Sequence, residues 1–147
     1  MLEIVQTTPF QAYVACSAAL VLNLLFLASA TAANRSKAKF MLNPEDEKVN
    51  PGGSVVTEED PAARFVRAHR NALENIPPFL AAGLLYVLVS PPTTVAIALL
   101  AAFTFFRWTH SLAYIKGAQP WRTLSFALAA VSLLAIAIHT VVIVFTA

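Results

Sequence analysis

Every lysine and arginine of this 147-residue chain falls between Arg35 and Arg70 or between Arg107 and Arg122. The remainder holds no basic residue, and its runs at 10–33, 94–115 and 123–147 approach or exceed the roughly 20 mostly apolar residues that a helix needs to cross a bilayer. At 58% hydrophobic and 12% charged residues, the chain is placed among integral membrane proteins of all-α class. The net charge of +2 says little; the clustering of the charges says more. A basic excess can signal nucleic acid, but no segment interleaves aromatic with basic residues, so no nucleic-acid partner is expected. Cys16 stands alone in an apolar run and reads as a small packing residue.

The punctuation divides the chain into four helices, at about 10–34, 61–89, 94–115 and 120–145, within a single domain over 1–147. Thr8-Pro9 is a helix start ahead of the uncharged run. The ASA and TAA triplets that close that run imitate a cleavage site, yet Glu3 and the lack of an upstream Lys or Arg do not suit a signal peptide, and an uncleaved helix is expected. Residues 35–60 are polar and rich in turn formers, a long loop outside the hydrocarbon. Asp60-Pro61 supplies an N-cap and a first-turn proline for the second helix, which becomes apolar only at Ile76 and carries Pro77 and Pro78, a pair expected to kink it. Its apolar part is too short to span unless its polar first turns also lie at membrane depth. SPPT at 90–93 is a tight turn, and Pro120 opens the last helix. Because the basic residues sit in the first and third connections, both termini are expected on the non-cytoplasmic side, in a bacterial inner membrane or the endoplasmic reticulum. His139 reads as an interfacial histidine near the opposite surface.

On the second helix Arg64, Arg67, Asn71 and Glu74 follow steps of 3, 4 and 3, so they form one polar stripe. His69 and Arg70 fall off it, and headgroup contact or pairing with loop acids accounts for them equally well. On the third helix Arg107, His110 and Tyr114 make a second stripe at the same end, and Arg122 adds a cation in the first turn of the fourth. Arginines within a membrane segment cost a few kcal/mol each and are generally retained facing a cavity or partner. Snorkelling to lipid phosphates, with Glu74 neutralising one arginine, is the competing account; it suits Arg64 better than Glu74 and Arg107, which lie deeper. Several guanidiniums beside a carboxylate, an amide and a phenol suit a small zwitterionic peptide with more than one carboxylate. At Arg122 the helix N-terminus adds unpaired N–H groups and a positive dipole end, a corner that favours a thiolate. No His, Cys, Asp or Glu cluster has metal-ligand spacing, so no metal is expected.

NPED at 43–46, RAHRNALENIPPFLAAGLLY at 67–86, RWTHSLAY at 107–114 and RTLSF at 122–126 together resemble the MAPEG family, the membrane-associated proteins of eicosanoid and glutathione metabolism, and most of all its microsomal glutathione transferase branch. The resemblance covers the chain from Thr31 onward. It implies a homotrimer of four-helix subunits that binds glutathione as co-substrate between neighbours, at the cytoplasmic end, and takes a hydrophobic electrophile from the bilayer. The glutathione contacts it implies are Arg67, His69, Arg70, Asn71, Glu74, Arg107, His110 and Tyr114, with Arg35 and Thr31 reaching over from the adjacent subunit. The resemblance thereby moves His69 and Arg70 into the site. It makes Arg122 the catalytic, thiolate-stabilising residue and Asp46 the loop aspartate.

The implied activity is glutathione transfer to lipophilic electrophiles, with peroxidase action on lipid hydroperoxides beside it. Three positions depart from family patterns: Ala63 replaces an acidic residue, and Thr123 and Phe126 replace the serine and tyrosine that follow the catalytic arginine in prostaglandin E synthase. The Phe126 difference argues for a transferase over an isomerase of that kind. A non-catalytic lipid-binding scaffold of the same family is the other alternative, and Arg107, Tyr114 and Arg122 together argue against it.

Overall fold

A computed structural model describes residues 2–41, 48, 52–55 and 63–146. The expectations for NPED at 43–46, for Asp46 and for the Asp60-Pro61 helix start lie outside the described residues. A short α1 (Leu2–Val5) precedes α2 (Thr8–Ala38); β1 (Phe40–Met41) and β2 (Ser54–Val55) follow, then α3 (Ala63–Leu88), α4 (Thr93–Lys116) and α5 (Trp121–Thr146). The chain is all-helical in character, and α2, α4 and α5 are each long and apolar enough to cross a membrane.

Several ends fall where the local chemistry puts them. Pro9 occupies the first turn of α2, where its missing N–H costs nothing. The helix ends later than expected, at Ala38, so Arg35 and Lys37 belong to its last turn and the loop begins at Lys39. The physical reason is that cations at a helix C-terminus are favoured by the dipole, so the loss of hydrophobicity at residue 34 does not end the helix. Lys39 adopts a left-handed conformation, φ 52°, and its N–H closes the last turn onto the carbonyls of Arg35 and Ser36. Beyond it, Phe40 and Met41 pair in parallel with Ser54 and Val55, a small order within the connection that was expected to be loop throughout.

The four long helices pack on one another through α2–α3, α2–α4, α3–α4, α3–α5 and α4–α5 contacts. On α3, Ala68, Ala72, Ile76, Phe79, Gly83 and Tyr86 are buried, and their spacing of three and four makes one inward face beside the polar stripe. The helix is unbroken through Pro77 and Pro78. Phe79 stacks on Phe103 of α4 with ring centroids 4.2 Å apart and planes 5° from parallel. α2 approaches α3 closely at Gly83, where a Cβ would meet the Tyr13 ring at 3.0 Å, and the Tyr13 hydroxyl donates to the Leu80 carbonyl at 2.8 Å. In lipid there is little hydrophobic drive between helices, so close packing and such polar contacts carry the association.

His139 is a correction. It is half-buried, with Nδ1 2.8 Å from the hydroxyl of the wholly buried Tyr86, so it is not alone but joins α5 to α3. A buried phenol needs a partner, and the imidazole supplies it.

Candidate functional site

The polar stripes meet at the end of the bundle where α3 and α5 begin and α4 ends. Gly117 makes that geometry. It caps α4 with φ 68°, its N–H closing onto the carbonyls of Ala113 and Tyr114, and it turns the chain so that α5 starts four residues later. The Arg64 guanidinium lies against it where any Cβ would collide. Arg64 is therefore half-buried on the α4–α5 connection, a closer engagement than snorkelling to lipid.

Arg107 is the most deeply placed of the expected ligands. Its side chain has no exposed surface, and its Nη2 donates to Asn71 Oδ1 at 2.9 Å and to the Asn71 carbonyl at 3.4 Å. Nε and Nη1 have no hydrogen-bond partner among the described residues. The sequence places Glu74, like Arg107, deep on its polar stripe, but the two do not pair. Instead Glu74 pairs with Arg70 at 3.2 Å, both side chains largely exposed. One helical turn separates those two on the same face, so the carboxylate is taken locally while Asn71 faces α4.

Behind Arg107 lies a contact that sequence reasoning missed. Ser111 donates to Asn23 Oδ1 on α2 and to the Arg107 carbonyl, both at 3.0 Å, with Asn23 and Ser111 buried. The available signal was Asn23 in the middle of the uncharged run 10–33; such an amide seeks a polar partner on a neighbouring helix.

His110 is almost fully buried and its Nδ1 lies 2.9 Å from the Arg122 carbonyl. A carbonyl only accepts, so Nδ1 carries the proton and donates. The imidazole sits between Tyr114, centroids 5.6 Å apart at 75°, and Phe126, 5.7 Å apart at 52°. Arg122 itself is half-buried, with its guanidinium carbon 4.9 Å from the Tyr114 ring centroid, a cation–π contact. Thus His110 fixes the backbone of Arg122, Tyr114 lies under its charge, and these three expected residues come together.

The remaining expected ligands are more open. Arg67 is exposed and His69 half-buried on the outer side of α3, and Arg35 is half-buried on the last turn of α2. Thr31 is buried and donates to the Phe65 carbonyl at 3.1 Å, which ties the end of α2 to the start of α3. Gln119, unremarked in the sequence, borders Arg122.

The MAPEG family pattern matches residues 13–142. The chain is 34% identical to cattle prostaglandin E synthase over 129 residues, covering 87% of this chain and 84% of that protein. It is also 34% identical to pig and human microsomal glutathione S-transferase 1, again over 129 residues, covering 84% of this chain and 83% of each relative. Overall identity is the same for the two activities, so it does not choose between them.

Proposed function

Because the chain belongs to the MAPEG family, we propose that it is a membrane-bound glutathione transferase that activates glutathione as the thiolate and adds it to lipophilic electrophiles. The single observation that carries this reading is the setting of Arg122. Its guanidinium is half-buried on the first turn of α5, over the Tyr114 ring, and makes no ion pair with a described carboxylate. An uncompensated cation beside the positive end of a helix favours a negative atom. A free thiol has a pKa of about 8.5 and is only a few per cent ionised at pH 7, so lowering it by about two units makes the thiolate the main species.

In the reaction the thiol proton leaves to solvent. The sulfur lone pair forms the S–C bond, and the leaving group of the electrophile departs with its electron pair. Arg122 stabilises the charge on sulfur before attack, while Arg67, Asn71, Glu74 and Tyr114 orient the peptide, joined by Arg35, His69, Arg70, Arg107 and His110. Lipid hydroperoxides are a second class of acceptor. An isomerase of the prostaglandin E synthase kind is the alternative favoured by the equal identity to that enzyme. Phe126, in place of tyrosine, weighs against it.

Glutathione added to detergent-purified protein should produce thiolate absorbance in the ultraviolet at pH 7, and a chlorinated aromatic should then be conjugated. Turnover of an endoperoxide without conjugation would instead favour the isomerase, and no glutathione binding would leave a scaffold.

The proposed assembly is a homotrimer with sites between subunits, each subunit crossing the membrane four times. Arg67, Arg70 and Glu74 are exposed on a single chain although α3 needs its polar turns at membrane depth to span, so a neighbour must cover them. A stable, active monomer or dimer in mild detergent would refute this. The basic connections support a topology with both termini on the non-cytoplasmic side; a reporter active only in the cytoplasm should be silent at the C-terminus and active near Gly52.

A further inference from the structure

The contact between Gln119 and Arg122 has a chemical consequence that rests on the transferase reading. Gln119 precedes Pro120 in the α4–α5 connection. Its amide carries an oxygen that only accepts and a nitrogen that only donates. With the oxygen turned to Arg122, it accepts from Nη2 at 2.8 Å and from Nε at 3.2 Å, and the amide nitrogen donates to Thr123 Oγ1 at 3.1 Å. The opposite orientation sets NH2 against guanidinium N–H groups, donor against donor, so the first is the one that satisfies both side chains.

Arg122 is then held from three directions: His110 bonds its carbonyl, Tyr114 lies against the guanidinium, and Gln119 takes two of its N–H groups along one edge. Of these only Gln119 fixes the guanidinium's orientation in its own plane, because a ring face imposes none. Its neutrality matters as much as its geometry. A carboxylate at the same place would accept the same two hydrogen bonds and cancel the charge, whereas an amide orients the cation and leaves that charge uncompensated.

We propose that Gln119 is a positioning residue for Arg122, and that its being an uncharged acceptor keeps the guanidinium's full charge available to a thiolate. Thr123 completes the device by holding the amide in the accepting orientation.

Two substitutions separate geometry from charge. Gln119→Glu preserves the two acceptor contacts and adds a negative charge beside Arg122. The apparent pKa of enzyme-bound glutathione should rise by about one unit, the thiolate absorbance at pH 7 should fall several-fold, and the lost turnover should return as the pH is raised. Gln119→Leu releases the guanidinium without neutralising it. It should lower kcat about tenfold with KM for glutathione changed less than twofold, and Gln119→Asn should not restore the rate, since its shorter side chain falls short of both nitrogens. Wild-type protein and Arg122→Leu are the reference points. If wild-type protein forms thiolate and Arg122→Leu does not, yet both Gln119→Glu and Gln119→Leu match the wild type in absorbance and pH profile, the positioning role is wrong and the transferase reading stands. If wild-type protein itself forms no thiolate with glutathione, the transferase reading fails, and this inference with it.

Discussion

Arg122→Leu is expected to abolish the thiolate absorbance of bound glutathione at pH 7 and to slow conjugation on the order of 100-fold, the scale on which loss of one preorganised charge stabiliser is felt. The other cationic and polar residues proposed to hold the peptide's carboxylates remain, so affinity for glutathione should fall only modestly. That split marks an interaction made chiefly with the ionised nucleophile. The sign of the pH dependence follows. In the proposed mechanism Arg122 lowers the thiol pKa below about 8.5, so its removal should let that value rise, and the rate lost at neutral pH should return in part as the pH approaches and passes it. Arg67→Leu should weaken binding more than the rate at saturation, because Arg67 is an exposed residue of α3 while the proposed thiolate stabiliser, Arg122, is seated on Tyr114 and His110. Thiolate absorbance unchanged in Arg122→Leu would transfer the stabilising role to the α5 N-terminus or another arginine.

The second large effect concerns the buried pair Arg107–Asn71. Arg107 is a guanidinium without exposed surface whose only described side-chain partner is an amide. Asn71→Leu removes that amide and leaves Arg107 only the longer contact to the residue-71 carbonyl, and taking one partner from a buried, charged hydrogen bond costs about 1–3 kcal/mol. Asn71→Leu should therefore unfold at markedly lower temperature in detergent. Adding Arg107→Met removes the buried charge along with the cause of the loss. The double variant should regain the wild-type melting temperature or exceed it, while its glutathione affinity stays at least tenfold reduced. Equal melting temperatures for Asn71→Leu and wild type would show that Asn71 does not support Arg107. Full glutathione affinity in the double variant would remove both residues from the binding site.

Such a pair is also an instance of what a linear reading misjudges. Steps of three and four placed Arg64, Arg67, Asn71 and Glu74 on one side of α3, but which of them meets α4 depends on how the two helices are rotated against each other. The rotation selects Asn71 for Arg107 and leaves Glu74 to Arg70. Likewise Thr31 is taken up by the Phe65 carbonyl and His139 by Tyr86, both pairings across helices.

What the sequence determined by itself is whatever depends on residues close together in the chain. Unbroken apolar runs require helices in a membrane, prolines and turn formers mark the ends of α2, α4 and α5, and the two basic windows bring one set of charges to one end. The recurrence of His110 and Tyr114 one turn apart, with Arg122 in the turn after Pro120, was legible for the same reason. The tertiary structure alone decided which polar atoms touch. Ser111 reaches Asn23 across 88 positions of sequence, and the left-handed turn at Gly117 brings Gln119 and Arg122 back beside the end of α4. Hydrogen bonds act over about 3 Å and demand alignment, whereas periodicity fixes a side chain only to a face. The last step from face to partner belongs to helix rotation, axial shift and cap geometry, which many residues set together.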